Sequence, residues 1–327
     1  MASMSWDLVA TNVASVPVLA FLLGALAAGL KADLRLPDAV YQATSMYLLL
    51  AIGLKGGVAL RESSLAEVAG PVAATLILGL IIPVLAFVVL RVLTRLGPVD
   101  RGSLAAHYGS TSLVTFTAAL VFLEASDISY EGYVATLLTI LEIPGILVGL
   151  LLAGRAMSGG DKRGWSEALR EVLLGRSVLL LAGGLVIGYL AGPNGYASVE
   201  PFFGGLFTGV LALFLLEMGV LAGRRLGALR EAGWGLPVFA IAFPILAGTL
   251  GIVGGLVAGM STGGAMVLGV LTASASYIAA PAAVRLALPE ANPGISLTAS
   301  LGITFPFNLV IGIPLYLLIA EWLAGIL

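Results

Sequence analysis

Runs of about 20 mostly apolar residues recur along the whole chain, and this pattern constrains the fold more than any other feature of the sequence. A helix of that length crosses a hydrocarbon core of about 30 Å, and helices satisfy their own backbone hydrogen bonds in lipid. A membrane β-barrel requires alternating segments of about ten residues, which this sequence lacks. The pattern therefore predicts an all-α integral membrane protein.

The composition points the same way and narrows the chemistry. Only 10% of the 327 residues are charged, whereas soluble domains carry about 25%. The sequence has no cysteine, which excludes thiolate chemistry, and the single histidine, His107, argues against a zinc enzyme. No basic segment with a cleavage site precedes the first apolar run, so we expect a retained span there and not a signal peptide. We expect a protein that is not an enzyme.

We predict about ten transmembrane helices. They lie at roughly 13–30, 39–60, 68–90, 103–124, 133–154, 177–192, 203–222, 234–259, 263–288 and 296–323. With this assignment, 14 of the 16 Lys and Arg residues fall in the odd-numbered loops. Because basic loops stay on the cytoplasmic side, we expect a cell-membrane protein with both termini outside.

The two halves of the chain share motifs. Three pairs of features recur at separations of 161 to 164 residues: "STS" at 110–112 with "SAS" at 274–276, "EIPGILV" at 142–148 with "TFPFNLV" at 304–310, and Pro83 with Pro244. We therefore divide the chain into a first five-helix repeat, 1–155, a cytoplasmic linker, 156–176, and a second five-helix repeat, 177–327. An odd number of spans per copy inverts the second copy relative to the first.

Inverted repeats are common in secondary transporters, whose substrate site lies at the midplane in discontinuous helices. The linker itself contains a stretch, 159–172, that predicts a short surface helix.

Two segments concentrate Gly, Ser, Thr or Pro in the middle of a span, namely 107–120 and 272–284. Such residues interrupt a helix, and the amide groups at the start of the following half-helix carry partial positive charge that suits a small anion. The predicted substrate-binding residues are Ser110, Thr111, Ser112, Ser274, Ser276 and Tyr277. The alternative is that these hydroxyl groups only pack or bind backbone, which is common in membrane helices.

Ionisable groups inside a membrane are costly and usually functional. Glu142 lies in the fifth span, and the repeat places Asn308 close to the equivalent position of the tenth. Because hard cations prefer oxygen ligands, we predict a Na⁺ site formed by Glu142, Asn308, Thr115 and Thr304. Alternatively, Glu142 is protonated or pairs with a neighbouring helix.

Three further ionisable residues are assigned structural roles. Lys55 and Glu217 have no polar counterparts in the repeat, and we expect them to form an ion pair across the halves. His107 lies near a cytoplasmic helix end, where we expect an interfacial position.

The sequence resembles the sodium-dependent bicarbonate transporters of the cyanobacterial carbon-concentrating type, as a diverged member. The resemblance runs along nearly the entire chain, through "IGLKGGVALRESSLAE" (52–67), "GSTSLVTFTAAL" (109–120), "EIPGILV" (142–148) and "SASYIAAPAAVRLALPEANP" (274–293). It implies ten helices in two inverted halves, a homotrimer, and Na⁺-driven uptake of HCO₃⁻ bound between the two broken segments. Tyr277 stands where the family carries Asp.

The sequence thus predicts a sodium-coupled symporter for bicarbonate or a similar small anion, with Na⁺ and the lipid bilayer as partners and no nucleic acid. A same-fold carrier for a small organic carboxylate is the alternative if Tyr277 and Phe116 enlarge the pocket. A membrane-embedded enzyme or an ion channel are further alternatives. The resemblance also implies a PII-like cytoplasmic regulator, but the central loop is short and the sequence does not establish this partner.

Overall fold

The protein is an assembly of helices connected by short turns. The computed structural model describes residues 4–32, 34–155, 162–225 and 233–327, and no strand occurs within these ranges. In the first half the helices are α1 (Met4–Val13), α2 (Val16–Gly29), α3 (Asp38–Glu62), α4 (Leu65–Leu93), α5 (Pro98–Gly109), α6 (Leu113–Ala125), α7 (Val134–Leu141) and α8 (Pro144–Gly154). In the second half they are α9 (Lys162–Leu174), α10 (Arg176–Ala197), α11 (Glu200–Phe203), α12 (Phe207–Arg225), α13 (Gly235–Val257), α14 (Thr262–Ala273), α15 (Ala279–Ala287) and α16 (Pro293–Ala324).

Eight helical segments of the described chain are long and apolar enough to cross a membrane. Two more, α2 and α14, are apolar but shorter. The outward face of α4 shows why these helices need lipid, because Ile77, Leu80 and Val88 are each about half exposed. The predicted all-α membrane fold is therefore confirmed, whereas the count of ten spans remains a prediction.

Local sequence signals define where the spans begin. At the start of α4, the Ser64 amide donates to the Glu67 carboxylate (2.8 Å) and the Glu67 amide donates to Ser64 Oγ (3.3 Å). This reciprocal pair satisfies amides that have no partner within the helix. Two prolines inside α4, Pro71 and Pro83, are tolerated as they commonly are in membrane helices.

The last span, α16, contains two π-helical segments, Thr298–Thr304 and Asn308–Gly312. Here α1 is attached, because Asn12 Nδ2 donates to the Leu309 carbonyl at 2.7 Å. The Asn12 side chain is only 2% exposed, so its hydrogen bond lies inside the protein. Neither α1 nor the π-helical turns were predicted from the sequence.

Two glycines allow α5 and α8 to pack closely against each other. A Cβ atom built on Gly145 at the start of α8 would lie 1.7 Å from the Gly109 carbonyl oxygen at the end of α5. Only a residue without a side chain fits there, so the end of α5 is held directly against α8.

The helix predicted within the linker is present as α9, although residues 159–161 lie outside the described chain. Ala168 and Val172 are buried on one of its faces and pack with residues of α8 and α15. An adjoining face is exposed at Leu169 and Leu173. Because α9 packs on helices before and after the linker, it joins the two halves of the chain.

Candidate functional site

Two helices are interrupted where the sequence predicts breaks. α5 ends at Gly109 and α6 begins at Leu113. Ser110 and Ser112 between them are extended, with φ, ψ of −107°, 174° and −108°, 110°. The second break separates α14 from α15, and Ser274 there is also extended (−83°, 166°). Backbone groups at both breaks are thus released from the helical hydrogen-bond ladder.

The two breaks contact each other directly. The Ser112 amide donates to Ser274 Oγ at 2.9 Å, and Ser274 Oγ in turn donates to the Leu271 carbonyl at 2.8 Å. The Ser276 amide donates to the carbonyl of His107 at 2.8 Å. Each break therefore satisfies backbone groups of the other.

The Ser112 hydroxyl is the centre of this hydrogen-bond network. It accepts from the amide and the hydroxyl of Thr115, at 3.2 and 3.0 Å, and donates to Tyr277 Oη at 3.2 Å. The Tyr277 ring stands edge-on to Phe305, with centroids 5.3 Å apart. The phenol of Tyr277 is thus held between the two breaks, and its own O–H donates to no partner among the described residues.

Of the other predicted hydroxyls, those of Thr111 and Ser276 border the cavity between the breaks, and Ser110 belongs to the first break but not to the described lining. Ser110 Oγ is buried and has no hydrogen-bond partner among the described residues, whereas Ser276 Oγ accepts from the Ala280 amide at 3.1 Å. A small cavity between the breaks, lined by Thr111, Ser112, Ser276 and Tyr277, has a volume of about 10 Å³. That is about the space that one water molecule requires.

The helix ends give this place its electrostatic character. α6 and α15 both begin here, and helix N-termini carry partial positive charge. The lining residues described for the small cavity include no Lys, Arg or His. Amide dipoles and hydroxyl groups are therefore its only donors.

Glu142 borders the same cavity and is 6% exposed. The hydroxyl of Thr111 donates to Glu142 Oε2 at 2.8 Å. In the described part of the chain, no Lys or Arg lies within ion-pair distance of this carboxylate. Its observed partner is thus a hydroxyl group of the first break.

Two further residues of the predicted Na⁺ site, Asn308 and Thr304, form hydrogen bonds with residues other than Glu142. Asn308 Nδ2 donates to the Ala273 carbonyl (2.8 Å), and Asn308 Oδ1 accepts from Tyr316 (2.9 Å). Thr304 Oγ1 donates to the Ala240 carbonyl and is 2.6 Å from the Tyr108 hydroxyl. None of these hydrogen bonds connects Thr304, Asn308 or Thr115 to Glu142. The four-residue Na⁺ site stays a prediction.

The comparison with known families agrees with this geometry. Residues 17–321 match the Na⁺-dependent bicarbonate transporter superfamily. The chain belongs to this superfamily. The resemblance identified from the sequence motifs is confirmed.

A second similarity covers only part of the present chain. A stretch of 88 residues is 35% identical to CDP-archaeol synthase of Thermococcus gammatolerans, covering 27% of the present chain and 50% of that protein. The chain thus spans half the length of this curated relative. This match is too short to assign a family. The superfamily match, in contrast, covers residues 17–321 of the present chain.

The expected ion pair between Lys55 and Glu217 does not form, so that prediction was wrong. Lys55 Nζ lies 3.3 Å from Glu124 Oε1. The Tyr130 hydroxyl donates to the same oxygen at 2.7 Å, and burial, with the Glu124 carboxylate beside it, raises the pKa of Tyr130. Tyr130 therefore stays a protonated donor to Glu124.

Glu217 is instead paired near the start of α3. Its Oε2 accepts from the Leu36 amide at 2.7 Å and its Oε1 lies 3.8 Å from Arg35 Nε. The Glu217 side chain is 3% exposed and that of Arg35 is 49% exposed. This carboxylate holds the segment before α3 against α12.

The expected interfacial position of His107 was also wrong. The side chain is 1% exposed, and Nδ1 lies 2.8 Å from the Ser103 carbonyl. Because a carbonyl only accepts, Nδ1 carries the proton. His107 is a buried residue of α5 whose backbone carbonyl contacts the second break.

Several residues of the site were missed by sequence reasoning. Leu49 of α3 and Ser177 of α10 line the small cavity between the breaks. Ser177 is buried, directly after the linker. The charged segment before Ser177 did not indicate that its side chain lines a cavity, because that position depends on how the helices pack in the tertiary structure.

Proposed function

We propose that the protein is a sodium-coupled symporter that takes up bicarbonate or a similar small monovalent anion. The observation that carries the proposal is the contact of the two breaks through the Ser112 amide and Ser274 Oγ. It brings together two helix N-termini, the Tyr277 phenol and the Ser110 hydroxyl, which has no hydrogen-bond partner among the described residues. The superfamily supplies the class of cargo.

Neutral donors suit such a cargo. An anion held only by amide dipoles and hydroxyls is bound directionally but not as tightly as by Lys or Arg. HCO₃⁻ also carries one O–H, which the backbone carbonyls released at the breaks can accept. A carrier requires both recognition and release, and this chemistry provides both.

We place the coupling ion beside Glu142. Carboxylate, hydroxyl and carbonyl oxygens are the ligands that hard cations prefer, and Glu142 and Thr111 offer the first two at the edge of the anion site. One Na⁺ with one HCO₃⁻ is electroneutral and uses the concentration gradient alone. Each additional Na⁺ adds about 2.3 kcal/mol of driving force at −100 mV.

For the architecture, we propose ten spans in two inverted halves, 1–155 and 177–327, joined by the cytoplasmic linker 156–176. The matched positions of the two breaks and of the in-helix prolines Pro83 and Pro244 support this division. Both termini would face outward from the cell membrane. We further propose a homotrimer, as the resemblance implies, which native mass spectrometry in detergent tests directly.

The test of function is uptake of radiolabelled bicarbonate by proteoliposomes, with and without an inward Na⁺ gradient. The proposal expects accumulation that depends on the gradient and saturates with bicarbonate. No uptake by folded protein would overturn it. Currents in planar bilayers far above carrier turnover would indicate a channel instead.

A small organic carboxylate remains the second candidate, because the aromatic Tyr277 borders the site. Phe116 does not support it, since this side chain is fully buried and is not among the described lining residues. Competition by acetate or pyruvate, without competition by bicarbonate, would select the carboxylate carrier.

A further inference from the structure

Two larger cavities lie on either side of the broken-helix site. The first, the Arg176 cavity, has a volume of about 250 Å³ and is lined by Gln42, Ser45, Glu142, Arg176 and Ile278 among others. The second, the Lys55 cavity, has a volume of about 320 Å³ and is lined by Ile52, Lys55, Glu124, Tyr130 and Phe207 among others. Each cavity contains a single basic residue among its described lining residues.

The helix α3 forms a wall of both cavities. Its first turns, at Gln42 and Ser45, border the Arg176 cavity, and later turns, at Ile52 and Lys55, border the Lys55 cavity. Leu49 lies between these turns and lines the small cavity at the breaks. The order along α3 is therefore Arg176 cavity, broken-helix site, Lys55 cavity.

The Arg176 cavity adjoins the broken-helix site. Four residues line both, namely Leu49, Glu142, Ser177 and Ile278. Arg176 is exposed at the start of α10, directly before the buried Ser177. An anion at Arg176 would thus lie in a cavity that shares a wall with the breaks.

On the other side, Ile52 borders the Lys55 cavity, whose described lining shares no residue with that of the small cavity at the breaks. It is 5% exposed and follows Leu49 by one helical turn. Lys55 is the next residue on this face, and its side chain is 63% exposed although it lies within a membrane-spanning helix. A charged side chain inside a span faces a water-filled cavity, and such residues mark ion pathways.

We propose that Lys55 and Arg176 attract the transported anion into the two opposite ends of one pathway, whose centre is the broken-helix site. The inference rests on the proposed function and adds residues that the site itself does not contain. The breaks hold no basic side chain, so long-range attraction of an anion has to come from the cavities. Both cavities offer one cation for this purpose.

Carboxylates accompany both cations. Glu124 lies 3.3 Å from Lys55, and Glu142 and Glu171 line the Arg176 cavity. These acids weaken the attraction, so that an anion is concentrated in the cavity and is not trapped there. Removing either cation therefore lowers the rate at which anions reach the site from that end.

The test measures bicarbonate uptake by right-side-out and inside-out membrane vesicles containing Lys55→Gln or Arg176→Gln. We expect Lys55→Gln to raise the KM about threefold to tenfold in one vesicle orientation only, and Arg176→Gln to do so in the other. Both effects shrink in high salt, which screens attraction between separated charges. Lys55→Arg and Arg176→Lys should restore the KM.

The controls are Arg61→Gln on α3 and Arg170→Gln on α9, two exposed cations outside the described lining of both cavities. If Lys55→Gln fails to fold, the double variant with Glu124→Gln removes both charges of the pair. A KM equal to that of the controls, or effects of both variants in the same orientation, would overturn the inference. Absence of uptake by the unaltered protein would overturn the proposed function as well.

Discussion

The Ser112 amide lies 2.9 Å from Ser274 Oγ, and this hydrogen bond joins two helix interruptions that are 162 residues apart in sequence. The acceptor hydroxyl also donates to the last turn of its own helix, at Leu271. Ser274 therefore holds both breaks in one arrangement. A substitution at this serine therefore removes hydrogen bonds from the backbone of both breaks.

Ser274→Ala should lower both stability and transport. The change leaves the buried Ser112 amide without its acceptor, which costs about 1 to 3 kcal/mol of the free energy of unfolding. Chemical denaturation in detergent and bicarbonate uptake measure the two effects. The control is Ser198→Ala, because that exposed hydroxyl donates only to the nearby Gly195 carbonyl. Equal stability of the two variants would contradict the prediction.

Glu142→Gln should weaken the dependence of uptake on Na⁺. The amide keeps the size of the side chain and still accepts from Thr111, but it removes the negative charge that favours a cation. We expect the Na⁺ concentration for half-maximal uptake to rise by about tenfold or more. Glu62→Gln, at the exposed end of α3, is the matched control. An unchanged Na⁺ titration would remove Glu142 from the coupling site.

Tyr277→Phe should weaken anion binding while the fold is kept. The ring still packs edge-on to Phe305, but the hydroxyl between the breaks is lost. One hydrogen bond corresponds to about a twofold to tenfold higher KM for bicarbonate. Tyr189→Phe, which alters an exposed tyrosine, serves as the control. A KM that does not differ from the control would show that the phenol takes no part in binding.

Gly145→Ala should prevent correct assembly of the first half. Its new methyl group would lie 1.7 Å from the Gly109 carbonyl oxygen, so α8 and α5 have to separate. The same change at Gly183 in α10 meets no atom within 4 Å, and there alanine should be tolerated or slightly stabilising. Size-exclusion profiles of the two variants compare the yield of folded protein. A normal profile for Gly145→Ala would contradict the packing.

The sequence was most informative about features that belong to a single helix. Hydropathy predicted the helical membrane fold, and Ser, Thr, Gly and Pro within 107–120 and 272–284 predicted two breaks that the structure contains. Both signals are local, because they depend on the side chains of one segment and on its own backbone. The motifs also identified the family correctly.

Partners between helices were harder to predict. Glu124 ends α6 next to a turn, and nothing in its neighbourhood indicates that it faces Lys55 of α3. Asn308 and Thr304 were matched to Glu142 through the repeat, but α16 contains π-helical turns. Each additional residue in a turn rotates the following side chains by about 100° around the helix axis. Matching residues of the two repeats by their separation in sequence assumes regular α-helices, so it does not take this rotation into account.

The position of α3 beside both cavities has a consequence for inhibition. Gln42 borders one cavity and Lys55 the other, and at 1.5 Å per residue they are about 20 Å apart along a single rod. Compounds bound in the two cavities would therefore contact the same helix at opposite ends, too far apart to touch each other.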